Sequence, residues 1–337
     1  QKNDLNGYSN YYELINSNPA YETLIQDYVK NESIGINEGF INNNSGGIWK
    51  HALYIQIKYK WNSFLLTSGF RYDNVNFNNT SKFSPRLGLT YVISPITKIN
   101  AAVGQYYQTP NYWMLMNPNN GKNIKHSYTE QAILGIEHLF ADDMRLTLEV
   151  YRKNYYNRPI QKSEITADIL DNQLGFTDIG EGYSKGLEIF FQKKFSYKWY
   201  STMSYSYSKS EAKDYRENKN GYYPWDFDFK QGFTLIGGYK FKFIKYDWYK
   251  NLKTSKIFPL LAAIPFFPAD QFEISFRYRH SGGLPYTSKK YNFTNRIWYT
   301  DNSDDLNSTR NIYYSRFDVM LLRKFNFKSI NLSAFID

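Results

Sequence analysis

The chain has 337 residues and a formal net charge of +10, contains no cysteine, and is 42% hydrophobic and 19% aromatic, with Tyr 33 and Phe 25. Without cysteine it can hold no disulfide framework and no thiolate metal site. Its longest apolar run, Ile257–Phe267, is broken by Pro259 and Pro265, far short of the roughly 20 residues of a membrane helix.

Residues 1–47 are polar and asparagine-rich, and read as a loop segment. One short helix is expected at Pro19–Lys30, with Asn18 as its cap and Tyr21, Leu24, Ile25, Tyr28 and Val29 along one face. From there on the chain repeats a single unit, clearest in Phe83–Pro110. Phe83, Leu87, Leu89, Tyr91 and Ile93 share one face, and Ser84, Arg86, Gly88 and Thr90 share the other. After a turn at Ser94–Lys98 the alternation resumes with Ile99, Ala101 and Val103. Period-two runs around a short turn predict a β-hairpin.

Twelve strands are predicted, at 49–60, 63–73, 82–94, 98–108, 127–139, 144–156, 182–195, 199–210, 227–241, 271–281, 313–326 and 329–337. Their length suits tilted strands crossing a bilayer. Only a closed barrel of strands satisfies every backbone group in lipid. The connections alternate, short near Trp61, Ser94–Lys98, Phe140–Met144, Phe195–Lys198 and Phe327–Lys328, and long across 74–81, 109–126, 157–181, 211–226 and 282–312. Short turns at one end and long loops at the other predict an outer-membrane barrel, here a partial one occupying 48–337. The insertion at 242–270 breaks the rule on the inner side. It reads as an amphipathic elaboration of the inner interface or as a docking surface for a protein or lipid. The alternation also sets a parity. Closing the barrel with both ends inside requires an odd number of strands before Gln1 and after Asp337, so the chain is expected to belong to a bigger barrel.

Several segments resemble the β-barrel of TonB-dependent outer-membrane receptors. They are Ala52–Trp61 (ALYIQIKYKW) with Gly69–Asp73 (GFRYD), Ser84–Leu89 (SPRLGL), Gly104–Pro110 (GQYYQTP), Tyr128–Gln131 (YTEQ) with Leu134–Glu137 (LGIE), Ser184–Glu188 (SKGLE), Ser281–Thr287 (SGGLPYT) and Arg316–Val319 (RFDV). They stand in the family's order, and the Asn-, Lys- and Tyr-rich composition resembles receptors of the Bacteroidota. The resemblance implies an antiparallel transmembrane barrel of about 22 strands with a plugged lumen, of which about 12 lie here in the carboxy-terminal part, with the plug domain absent from this chain. It implies energised uptake of a solute held by the outer loops, such as a glycan, peptide or siderophore. Implied partners are the family's own plug domain, the TonB complex, outer-membrane lipid and lipopolysaccharide, and a surface lipoprotein or other envelope protein. Alternatives are a non-transporting barrel with a structural or assembly role, and a soluble β-rich adhesin or glycan-binding module.

No catalytic constellation is legible, and no cofactor or metal is expected. His51, His126, His138 and His280 are scattered, and Gly180, Gly182 and Gly186 have the wrong spacing for a dinucleotide loop. Asp301, Asp304 and Asp305 only faintly echo an oxygen-ligand calcium loop, and read better as a solvated loop. The basic residues are scattered rather than gathered in a block, which argues for solvation and headgroup contact and against nucleic acid.

Apolar-out, polar-in ordering predicts that Gln56, Lys58, Arg71, Arg86, Thr90, Gln131, Glu137, Glu188, Gln192, Arg277 and Arg279 face the lumen or plug. Leu53, Ile55, Ile57, Phe64, Leu66, Phe70, Leu87, Leu89, Leu134, Ile136, Leu187, Ile189 and Phe191 should then face lipid. In the outer loops Tyr106, Tyr107, Asn111, Tyr112, Trp113, Asn117, Asn119 and Asn120 set aromatic rings beside amides, which suits a sugar or peptide ligand. Trp225 and Tyr286 are further ligand-binding candidates, and Tyr222 and Tyr223 read the same way; all these rings could instead form an aromatic girdle at the lipid boundary.

Overall fold

Wherever side chains alternate at every second residue the backbone is extended, and the extended segments join into one antiparallel sheet. The computed structural model describes residues 48–337, apart from 116–120, 162–174, 217–218, 220, 295, 301–304 and 328–329. The helix expected at Pro19–Lys30 lies outside the described residues. The strands are β1 (Lys50–Trp61), β2 (Phe64–Val75), β3 (Thr80–Ser94), β4 (Thr97–Gln108), β5 (Ser127–Ala141), β6 (Met144–Gln161), β7 (Phe176–Ser196), β8 (Trp199–Lys213), β9 (Tyr222–Pro224), β10 (Gln231–Phe241), β11 (Gln271–Ser281), β12 (Pro285–Tyr286), β13 (Lys290–Asn292), β14 (Ile297–Tyr299), β15 (Thr309–Arg310), β16 (Tyr314–Asn326) and β17 (Asn331–Ile336). The sheet runs in sequence from β1 to β8 and on through β10, β11, β16 and β17, with β9 paired to β8. The path contains the twelve predicted strands. It is an open wall, part of a barrel, with β1 and β17 as its edges.

Several boundaries differ from the alternation reading, each for a local reason. The link expected across 74–81 shrinks to residues 76–79, because Val75 pairs with Thr80. The turn expected over Ser94–Lys98 tightens to Pro95-Ile96, closed by a Ser94–Thr97 pair. β6 and β7 continue to a Gln161–Phe176 pair through bulges that absorb Asn157 and Pro159. Proline has no N–H for a ladder, so it is tolerated in a strand at such a bulge. β10 begins at Gln231 rather than at 227.

An unbroken register carries one face across the whole wall. The pairs Gln56–Gly69, Gly69–Arg86, Arg86–Gly104, Gly104–Gln131, Gln131–Lys153, Lys153–Ser184 and Ser184–Ser210 run along a single polar face. The opposite face carries Ile55, Phe70, Val103, Leu134, Val150, Leu187, Leu235, Phe276 and Val319. It is uncovered, with Val103 and Leu134 each 53% exposed and Val319 49% exposed. Among the described residues the fully buried apolar side chains lie at the strand ends, in loops and in the 242–270 insertion. The middle of the wall buries no dry core. Apolar area of this extent is not left in water by soluble proteins. No helix among the described residues is long and apolar enough to cross a membrane.

The end of the wall that carries the short turns is pinned by polar contacts. Lys193 is almost fully buried on the face of Leu187, Ile189 and Phe191, where its ammonium donates to Asp143, to the Ser196 hydroxyl and to the Lys194 carbonyl. It also stands 4.9 Å from the Trp199 ring centroid. One side chain thereby joins the turn between β5 and β6 to the turn between β7 and β8. A buried ammonium is tolerated only when its donors are satisfied in this way.

The 242–270 insertion also sits at the short-turn end. It holds a 3-10 turn at Phe243–Lys245 and helices at Asp247–Lys253 and Phe258–Ala262. Tyr249, Phe258 and Ala269 pack with Phe325 of β16, and Phe243, Ile244, Leu252, Ala262 and Phe267 surround them. Lys253 donates to Asp270 at 2.5 Å and to the Asn326 carbonyl at 2.7 Å. Arg323 donates to the Ala262 carbonyl at 2.8 Å. The insertion is a fixed platform rather than a loose loop.

The turn between β7 and β8 carries removable strain. Tyr197 (φ 47°) and Lys198 (φ 75°) are both left-handed between the paired Ser196 and Trp199. Non-glycine residues pay about 1–2 kcal/mol each for that conformation, and Asn-Gly is the pair that adopts it most readily. The double change Tyr197→Asn/Lys198→Gly should raise unfolding stability by about 1–2 kcal/mol, measured by urea titration of the protein in lipid vesicles. An unchanged or lowered midpoint would remove this account of the turn.

Candidate functional site: a cationic wall and the loops above it

The polar face is a network of basic groups with too few acids to neutralise them. In β2, Arg71 grips Asp73 through two bonds of 2.7 and 2.9 Å, and Lys50 stands 3.8 Å from the same carboxylate. The Arg86 guanidinium lies over the Tyr106 ring at 4.5 Å. The ring lies over Gly104, where a Cβ would come within 3.1 Å of it and press it aside by a few tenths of an ångström. Thr90 donates to Asn100 at 2.8 Å, Lys98 pairs with Glu137 at 3.1 Å, and Arg145 donates to Gln192 at 3.2 Å. The register sets Glu188 opposite Glu149, and carries Gln131, Gln192, Arg277 and Arg279 on the face of Gln56.

Charged side chains also gather where β10, β11 and β16 meet. A cleft of about 210 Å³ is lined there by Tyr200, Ile236, Ser275, Phe276, Arg277, Arg279, Arg316, Asp318, Met320 and Asp337. Arg316 bonds Asp318 at 2.5 Å and Arg279 approaches the same carboxylate at 3.7 Å, while Arg277 is register-paired with Asp318. The buried Nε of Arg279 has no acceptor among the described residues. Three guanidiniums stand against two side-chain carboxylates, Asp318 and Asp337, which leaves a smaller excess of positive charge, in the planar, forked geometry that receives carboxylates, phosphates and other anionic groups.

At the long-loop end the candidate residues separate. Tyr106 points to the polar face, but Tyr107 is on the apolar one, 5.4 Å from Tyr128, which stacks on Tyr156 at 4.8 Å. With Tyr72 against Phe83 at 5.0 Å these rings form an aromatic row around the apolar face. Asn111 plays a structural part, its carbonyl accepting the Met114 and Leu115 amides at the start of the short helix Tyr112–Leu115. Tyr112 is exposed, and Trp113 meets Phe176 edge-on at 5.1 Å. Asn117, Asn119 and Asn120 lie outside the described residues, as do Asp301 and Asp304. Trp225 leans over the polar face, edge-on to Tyr155 at 5.3 Å, with Arg158 5.0 Å from its ring and Gly182 beneath it. Tyr286 is exposed on the small β12–β15 ladder.

Two clamps were invisible in the sequence. In the first, Arg310 donates to the Asp228 carboxylate and, at 3.1 Å, to the Gly283 carbonyl. Asn307 donates to the Pro224 carbonyl at 2.8 Å and to Asp226 at 2.7 Å, and Lys219 pairs with Asp305 at 3.0 Å. These bonds tie loop 282–313 to loop 214–230. Gly283 is required because a Cβ there would lie 1.7 Å from the Asn311 carbonyl oxygen. The second clamp centres on His126, which is 1% exposed. Its Nε2 lies 3.3 Å from the Asn78 amide, its carbonyl accepts from Asn157 at 3.4 Å, and Ser127 donates to the Asn157 carbonyl at 2.9 Å. Burial first, then repulsion from Lys82 and Lys50, pushes the imidazole down to about 4.

A family profile described as TonB dependent receptor-like, beta-barrel matches residues 2–337. No curated protein sequence matches the chain. Among solved structures the wall is similar to the ferric-catecholate import receptor Fiu from E. coli K12, with TM-score 0.58, 14% identity, 85% of this chain covered and 39% of that one. It is similar to the ferripyoverdine receptor of the outer membrane of Pseudomonas aeruginosa, with TM-score 0.58, 13% identity, 82% covered and 32% of that chain. It is similar as well to the FrpB iron transporter from Neisseria meningitidis, with TM-score 0.55, 12% identity, 88% covered and 42% of that chain. The chain thus spans between about a third and two fifths of the length of these receptors.

The buried imidazole makes the loop cluster acid-sensitive. Because the folded value of about 4 lies below the ordinary 6.5, the neutral form is favoured in the fold. That stabilisation is complete above pH 6.5 and disappears as pH falls toward 4. The cluster should lose up to about 3 kcal/mol over this window, read by Trp113 fluorescence in denaturant with a Trp113→Phe blank. His126→Asn should flatten the dependence, and an equally steep profile in that variant would assign the effect elsewhere.

Proposed function

The chain belongs to the TonB-dependent receptor β-barrel family, and from that premise we propose that it forms the carboxy-terminal wall of a barrel for energised uptake of an anionic solute. Members of the family are outer-membrane proteins, and the sheet lies in that membrane. Short turns then mark the periplasmic end and long loops the outer one. The dimensions agree. From Phe64 to Tyr72, aromatic row to aromatic row, β2 climbs about 27 Å along its axis, or about 20 Å of height at a tilt of about 40°, close to the apolar band of such barrels.

In this reading Gln56, Arg71, Arg86, Gln131, Glu188, Gln192, Arg277 and Arg279 face the lumen, where the family implies a plug domain displaced through TonB. Tyr106, Trp225 and Tyr286, with Tyr112 and Trp113, offer rings to a ligand at the mouth, and Tyr107 serves the lipid-side girdle instead. The observation that carries the proposal is the excess charge of Arg277, Arg279 and Arg316 over Asp318 and Asp337. Ferric chelates are one class of anionic solute that fits such a wall, and the resemblance in fold to receptors for iron chelates supports choosing them as first probes.

In cells with TonB, the intact receptor should take up a ferric catecholate or ferric hydroxamate chelate labelled with radioactive iron. The pair Arg279→Gln and Arg316→Gln should reduce that uptake at least about tenfold, the effect of losing charge-assisted bonds of roughly 1.5 kcal/mol or more. If neither probe nor any other anionic solute enters in a TonB-dependent way, the transport reading fails in favour of a barrel with a structural role. Facing has its own test, by refolding into lipid vesicles. Leu134→Arg should cost about 2–4 kcal/mol and Gln131→Arg almost nothing, and equal penalties would contradict the assigned faces.

A further inference from the structure

Every other described connection at the periplasmic end is a tight turn, yet 242–270 builds a packed platform there. Its attachment shows where it lies. Phe241 pairs with Phe272, Phe272 pairs with Arg323, and Phe325 follows two residues on, so these rings belong to the apolar, outward face of β10, β11 and β16. Phe243 stacks near both Phe241 and Phe272, at 6.0 and 6.3 Å, and Phe258 meets Phe325 at 6.1 Å. The packed part of the insertion therefore covers the lipid side of the wall at its lower rim.

What it presents outward is apolar again. Leu260 and Phe266 are each 75% exposed, and Trp248, Ile257 and Ile264 are exposed beside them. Lys245, Lys250 and Lys256 accompany this surface, against Asp247, while Lys253 holds the fully buried Asp270 and Lys242 lies beside Lys240, Glu273 and Lys324 of the polar face. Rings and aliphatic side chains beside an excess of lysine form the pattern of an element lying in a membrane interface, apolar groups among acyl chains and ammoniums among anionic headgroups.

We infer that residues 242–270 are a lipid-docking platform that seats in the periplasmic leaflet of the outer membrane and binds anionic phospholipid. This rests on the placement of the barrel in that membrane. Two observations favour lipid over a protein partner. The exposed patch continues, through Phe241, Phe272 and Phe325, a face that already meets acyl chains. The lysines complement phospholipid headgroups that carry negative charge. The bonds from Lys253 to Asp270 and Asn326, and from Arg323 to Ala262, hold the platform at a fixed height on the wall, so lipid engagement would set the vertical seat of the barrel.

The chain contains no cysteine, so single cysteines can report position. Leu260→Cys, Phe266→Cys and the wall reference Val319→Cys would be labelled with an environment-sensitive fluorophore in the intact receptor. The receptor would be reconstituted in phosphatidylethanolamine vesicles with or without phosphatidylglycerol, and quenching by lipids brominated along the acyl chain would be measured. All three positions should be quenched, and phosphatidylglycerol should strengthen quenching at 260 and 266. Changing Lys245, Lys250 and Lys256 to Gln should abolish that enhancement. Quenching at 319 without quenching at 260 and 266 would overturn the inference while leaving the barrel in place, including the case where those positions become protected only by a protein in cells. Indifference to phosphatidylglycerol in the unaltered platform would overturn the headgroup assignment. Absence of quenching at 319 would remove the placement on which the inference stands.

Discussion

The structure depends on one constraint, the preservation of a single strand register across the wall. Side chains alternate with period two, so a slip of one residue in any strand would send its apolar set to the lumen and its charges into lipid. The chain from Gln56 through Gly69, Arg86, Gly104, Gln131, Lys153 and Ser184 to Ser210 contains no such slip. Irregularities are confined to places where they do no harm, near the short turns and in the upper part of β6 and β7. The two-residue turns, with Asn62, Tyr197 and Lys198 in left-handed conformations, hold that phase at the periplasmic end.

The stabilising contacts follow from the same arrangement. Mid-wall side chains bury little against other protein, because lipid supplies the apolar surroundings on one side and the lumen the polar ones on the other. Protein-protein packing therefore concentrates at the two rims. Lys193 with Asp143 and Ser196, and the aromatic packing around Phe258, secure the lower rim. Arg310 with Asp228, Asn307 with Asp226, and the His126 cluster brace the upper one. Between two braced rims the register holds the arginines of β11 and β16 on one face.

Much of this was legible in the sequence, for a physical reason. Alternation needs no distant information, so Gln56, Arg86 and Gln131 could be assigned to one face from their neighbours alone. The same rule separates Tyr106 from Tyr107, although grouping them as a loop cluster hid it. Lys193 interrupts the apolar face that runs through Leu187, Ile189 and Phe191, and that interruption was the available sign of a buried polar lock. Other features carried no local sign. Asp228 and Arg310 are far apart in sequence and meet only when two long loops fold over the same mouth. Pro159 and Asn157 suggested a loop, because a bulge inside a continuing strand cannot be told from a break until its partner strand is known. The charge of the β10–β11–β16 cleft arises by summing three strands, of which only β11 showed its arginines as a pair.

Strand length has a consequence for the upper rim. β6 and β7, at 18 and 21 residues, outreach the 12-residue β1 and β2. Above the tyrosine row they rise by about 15 Å more of ordered backbone. In its described strands the upper rim of this wall is thus lopsided, a parapet along β6 and β7 and a sill along β1 and β2.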